Sequence, residues 1–127
     1  MEIVNTTALI AGTIYGSLAI IFGAFGAHAL KKHMTNERLE SFEVGVKYQM
    51  YHAIVLLVLG IMPAELHLKN AINIIIIGVF LFSFSIYGLV LSATFKKKIK
   101  IFGPITPLGG LCMVIGWVIL LIQFIKL

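Results

Sequence analysis

The sequence predicts an all-α fold, a four-transmembrane-helix bundle with an amphipathic lead-in to the second helix, and three observations predict it. First, 60% of the 127 residues are hydrophobic and 12% are charged, about half the charged fraction of an ordinary soluble domain. A soluble domain of this length leaves too much of its surface wet to hide so much apolar area. Second, the apolar residues fall into four long runs, each near the ~20 residues a helix needs to cross a bilayer. Strands of a membrane barrel would be about ten residues long and alternate in polarity. Third, the charged residues gather in the short connections between the runs. The chain reads as one integral membrane domain, 1–127, with spans at about 6–30, 47–63, 70–94 and 105–126.

The first span holds His28 as its one group that carries charge near neutral pH. Gly12, Gly16, Ala19, Gly23 and Ala27 recur in it at steps of three or four. Such a stripe lets another helix backbone approach closely, which is how helices associate in lipid. The stripe serves either packing within the chain or contact with a second copy. The second span, "YQMYHAIVLLVLGIM", is short and ends at Pro63. Its lead-in, "TNERLESFEVGVK", offers Thr35 or Asn36 as N-cap and Glu37 in the first turn, where the helix dipole favours an acid. Leu39, Phe42 and Val46 share one face, so the segment lies at the interface and continues into the span. A separate surface helix broken at Gly45 is the other reading. The third span carries no charge, and Ser85, Gly88 and Ser92 give it a thin face. The fourth begins "GPITPLGG", with Thr106 placed as N-cap and Pro107 at the first helical position. Gly109 and Gly116 thin one side of it.

Lys31, Lys32, Arg38 and Lys47 lie between spans one and two, and Lys96, Lys97, Lys98 and Lys100 between spans three and four. Only Lys69 and Lys126 lie on the other side. The positive-inside rule then places both basic loops in the cytoplasm and both termini outside a cell (plasma) membrane. "AHA" at Ala27 to Ala29 has the small-x-small look of a signal-peptide cleavage site. The lysines follow the apolar core instead of preceding it, so no cleavage is expected. Basic residues scattered through short loops also exclude a nucleic-acid platform. The lone Cys112 allows no disulfide within the chain.

Counted from the basic loops, His28, Tyr48, His52, Ser83, Tyr87 and Thr106 fall in one half of the bundle, leaving the other half nearly pure Ile, Leu, Val and Phe. An ionisable group at membrane depth is a functional candidate by default, because burying it without a partner is expensive. Two readings stand for this cluster. The histidines satisfy hydrogen bonds within the bundle, or they line a site for a small molecule, an ion or a lipid headgroup. Equal depth predicts an approach of His28 to His52 within about 10 Å, one helix-packing distance. A metal centre is not expected, since zinc usually takes four Cys, His, Asp or Glu ligands, and no cofactor is called for. No carboxylate lies inside a span, and no HExxH, nucleotide loop or serine–histidine–acid set occurs. The "FKKKIK" loop, with Lys96, Lys97, Lys98 and Lys100, either fixes topology or holds an anionic lipid.

"GAFGAHAL", "KYQMYHAIVLL", "SFSIYGLVL" and "GPITPLGGLCMVIGW" together resemble, in order and spacing, the small four-span membrane proteins of domain-of-unknown-function family 423. The resemblance covers nearly the whole chain and implies a multi-pass membrane protein without an assigned activity. By position it marks Gly23, Gly26, His28, Tyr48, His52, Tyr87, Pro104, Pro107, Gly109, Gly110 and Trp117. Function therefore reads as non-enzymatic, whether structural, accessory or lipid-associated. The alternative is a binder or transporter with a cytoplasmic-side polar site around His28 and His52; a third is an enzyme acting on a lipid headgroup or quinone. The partners to consider are the lipid bilayer, an anionic lipid, a second copy of the chain and another membrane protein.

Overall fold

A computed structural model describes residues 4–95 and 97–127, with Ala27 described by its backbone alone. Helix α1, Thr6–Phe25, starts on the Asn5 side chain, which accepts the Ala8 N–H at 2.9 Å. A π-helical turn, Gly26–Leu30, extends it. The Asn5 N–H also donates to the Gly60 carbonyl at 2.7 Å, tying the start of α1 to the end of α2. Helix α2, Asn36–Gly60, is capped by the Thr35 hydroxyl, which accepts the Arg38 N–H at 3.2 Å. It runs unbroken through Gly45. Its 25 residues extend for ~37 Å, more than the ~30 Å hydrocarbon core, so the lead-in and the span are one helix.

The third span is α3, Lys69–Val79, a π-helical turn at Phe80–Phe84, and α4, Ser85–Thr94, in one continuous run. Helix α5 is Phe102–Ile125. Here the expected start at Thr106 is corrected. Pro104 sits in the first turn, where a backbone N–H has no helical partner in any case. The helix therefore begins before both prolines, and Thr106 lies inside it, its hydroxyl donating back to the Phe102 carbonyl at 3.1 Å. Pro107 brings no N–H to the Gly103 carbonyl one turn earlier.

All four spans are long and apolar enough to cross a membrane, and the described residues contain no strand. The spans do not share burial equally. The third and second bury 44% and 39% of their most apolar stretch, α1 and α5 only 22% each. The third span is thus central, α1 packs on α2, α5 packs on the third span, and the outer faces of α1 and α5 carry large apolar side chains such as Ile14, Ile21, Leu111 and Leu121. Glycine makes the tight approaches. A Cβ on Gly12 would lie 2.9 Å from the Ala53 carbonyl oxygen, and one on Gly109 would meet the Leu81–Phe82 backbone. One core cluster contains Leu56, Ile72, Ile75, Val79 and Met113, and a second, nearer the basic loops, contains Met34, Phe42, Ile86, Tyr87 and Val90.

Candidate functional site

The polar groups inside the bundle form a seam centred on Gln49, whose side chain is fully buried. Its Nε2 donates to the Tyr15 carbonyl at 2.8 Å, and its Oε1 accepts the Tyr87 hydroxyl at 2.7 Å. The Tyr15 hydroxyl donates to the Ile76 carbonyl at 2.7 Å. Ser83, within the π-turn, donates to the Gly45 carbonyl at 2.8 Å. These bonds sew α1, α2 and the third span together. Among the described residues, no buried side-chain nitrogen or oxygen lacks a partner.

His52 holds the other side of the seam. Its Nδ1 lies 2.8 Å from the Tyr48 carbonyl, and its Nε2 lies 3.0 Å from the Trp117 indole nitrogen. A carbonyl only accepts and an indole N–H only donates. The ring therefore carries its proton on Nδ1 and a lone pair on Nε2, the neutral tautomer, with both nitrogens engaged. Among the described residues, this is the one side-chain hydrogen bond that joins α2 to α5. Ser85 and Thr106, 2.6 Å apart, join α4 to α5 in the same way.

The structure separates the candidates that equal depth had put together. Gly26 faces Phe42 and Gly16 faces Ala53, so α1 and α2 run antiparallel with His28 about twelve residues, or ~18 Å, along the axis from His52. His28 is also exposed, in the π-turn, and forms no joint site with His52. Nor do the polar groups keep to one half. His52 is the seventeenth of the 25 residues of α2 and lies past its midpoint from the basic loops. The reason is that α2 begins at Asn36, not near Lys47.

Tyr87 bonds Gln49 across the interface. Tyr48 is exposed, with its ring 5.4 Å from that of Phe82. Gly16 and Gly23 stand over Ala53 and Val46, and Gly116 over Ile75; the Ala27 side chain lies outside the described residues. So does Lys96, while Lys97, Lys98 and Lys100 are exposed. Composition and spacing missed Gln49 and Tyr15, and only the family resemblance marked Trp117. A carboxamide amid "YQMYHAIVLL" was the available signal, because a polar group there must find a partner in the bundle. Beside His52 and Trp117 lies a hollow of about 410 Å³, walled by Tyr48, Phe82 and Val114.

The family described as "Protein of unknown function (DUF423)" matches residues 22–110. The chain belongs to it. A UPF0382 membrane protein of Staphylococcus aureus (strain bovine RF122 / ET3-1) is 37% identical over 93% of this chain and 94% of its own length. The UPF0382 membrane protein YwdK of Bacillus subtilis (strain 168) is 36% identical over 93% of this chain and 95% of its own. A third, from Staphylococcus saprophyticus, is 35% identical over 94% and 97%. No solved structure matches the chain. The DUF423 chain described here is thus a multi-pass membrane protein whose relatives are named for the membrane and not for a reaction.

Proposed function

We propose that the protein is a non-enzymatic, lipid-associated structural component of the cell membrane, with both termini outside and both basic loops in the cytoplasm. The observation that carries this reading is the state of His52. It is the one histidine inside the seam, and both of its nitrogens are already engaged, Nδ1 by the Tyr48 carbonyl of its own helix and Nε2 by Trp117 of α5. A general base or a metal ligand needs a lone pair free for substrate or ion, and the Nε2 lone pair accepts the Trp117 proton. Gln49, Ser83, Tyr15 and Tyr87 are likewise occupied by one another and by backbone carbonyls. Their arrangement suits holding three spans in register in lipid, where interhelical hydrogen bonds and close packing replace the hydrophobic drive.

Carbethoxylation of histidines in isolated membranes, read by mass spectrometry, tests it. His28, His33 and His67, all exposed, are expected to react while His52 does not. Trp117→Phe frees Nε2, and His52 then becomes reactive, which shows that the reagent reaches that depth. Equal reaction of His52 and His28 in the unaltered protein overturns the structural reading.

A further inference from the structure

Three hollows adjoin along α2, the first between α2 and α4 and the next two between α2, the third span and α5. The first, about 420 Å³, opens beside the basic loops between Arg38 on α2 and Lys98. The second, about 470 Å³, shares Ser41, Leu89 and Val90 with the first and continues past Val44 and Phe82. The third, about 410 Å³, shares Val44 and Phe82 with the second and ends at His52 and Trp117. Shared walls make them one groove. From Arg38 to His52 is fourteen residues of α2, or ~21 Å. That exceeds the ~15 Å of one leaflet's share of the hydrocarbon core, so the groove starts at headgroup level and ends near the bilayer centre.

We propose that this groove binds an anionic glycerophospholipid, its phosphate at Arg38 and Lys98 and one acyl chain along α2 and α5. The inference rests on the lipid-associated reading above. The occupant follows from the two ends. At the mouth, two cations face a single carboxylate, Glu37, and the Thr35 and Ser41 hydroxyls lie beside them; this set suits a phosphate, which takes charge-assisted hydrogen bonds from a guanidinium and an ammonium. At the deep end, the walls are apolar and aromatic, and the His52–Trp117 bond ties α2 to α5 across the cleft. A partner helix needs a face that runs through both leaflets, whereas this groove stops midway. A molecule with a head in one leaflet and a tail reaching the centre fits it. The flank along Tyr48, Val114 and Trp117 is exposed, which leaves a lateral entry from the bilayer.

Trp117 is the only tryptophan and stands at the groove's end, so its fluorescence reports occupancy. The purified protein is reconstituted in vesicles carrying bromine on the far half of the acyl chains of either phosphatidylglycerol or phosphatidylcholine, the other lipid being unlabelled. The brominated anionic lipid is expected to quench Trp117 with about five-fold or greater preference, from ~1 kcal/mol per basic residue at the surface. In Arg38→Gln/Lys98→Gln the preference falls to about one. In Lys31→Gln/Lys32→Gln, which removes as much charge from the same end but not from the mouth, it persists. Three results overturn the proposal: equal quenching by both lipids in the unaltered protein, a loss as large in the Lys31 and Lys32 variant, or shielding of Trp117 from both lipids by a co-purified helix or second copy. Carbethoxylation of His52 answers separately to the structural reading, so the two fail independently.

Discussion

A buried carboxamide in lipid is stable only where its donor and its acceptor both find partners, and Gln49 finds them on two different helices. Gln49→Leu strands the Tyr87 hydroxyl, while Tyr87→Phe strands the Gln49 oxygen. Interhelical hydrogen bonds in membranes average ~0.6 kcal/mol and reach ~1.7, so each single change is expected to cost about 1–2 kcal/mol. The double variant should cost less than the sum, because neither partner is then left unpaired. Unfolding of the reconstituted protein by steric trapping measures the cycle, and strict additivity would show that the bond carries nothing. Sequence reasoning placed Tyr87 in the polar cluster but did not reach Gln49, which accepts its hydroxyl from 38 residues away, because inter-helix register is not encoded in spacing along one chain. His28 shows the same limit from the other side: depth was counted from the loops, but α2 starts a full lead-in earlier and carries His52 away from it.

At the scale of the helix, adjacent glycines of α5 have opposite constraints. A Cβ at Gly109 would overlap the backbone of Leu81 and Phe82, whereas one at Gly110 would meet only the edge of the Phe82 ring, 3.5 Å away. Gly109→Ala is therefore expected to destabilise by about 1–3 kcal/mol, the ordinary cost of overpacking. Gly110→Ala should be neutral or gain up to ~1 kcal/mol of helix propensity. Thermal midpoints of the two variants in the same detergent check the contrast; similar shifts would contradict the close approach of α5 to the third span. The glycine stripe and the four runs were legible because hydropathy and spacing are properties of one chain. The π-turns were not, since "FLFSF" reads as helix like its neighbours and the extra residue per turn answers to packing. The start of α5 was missed because Thr-Pro reads as a cap and first turn, and Pro104, three residues earlier, supplies the same signal.

Across the whole molecule, the antiparallel spans place the two basic loops at one pole and the 61–68 connection, the start of α1 and the end of α5 at the other, and only charge decides which pole faces the cytoplasm. Eight Lys and Arg residues, Arg38 and Lys47 on the first half of α2 and the others in or beside the two basic loops, stand against Lys69 and Lys126 on the other side. Each sits within reach of a span end, where such residues govern insertion. Helices α1 and α5 lie at the periphery with most of their apolar surface outward, so burial within the bundle does not distinguish the two orientations, and lysine placement must. Cys112, the single cysteine, is replaced by serine to give a silent background. In that background a cysteine at Lys97 is expected to react with an impermeant maleimide only after the cells are permeabilised. A cysteine at Lys69 should react in intact cells. Replacing Lys97 leaves the bias at seven to two and replacing Lys69 leaves it at eight to one, so the labelling reports the natural orientation and not one created by the substitution. Labelling of Lys97→Cys from outside would invert the molecule, and with it the leaflet from which the groove along α2 draws its lipid.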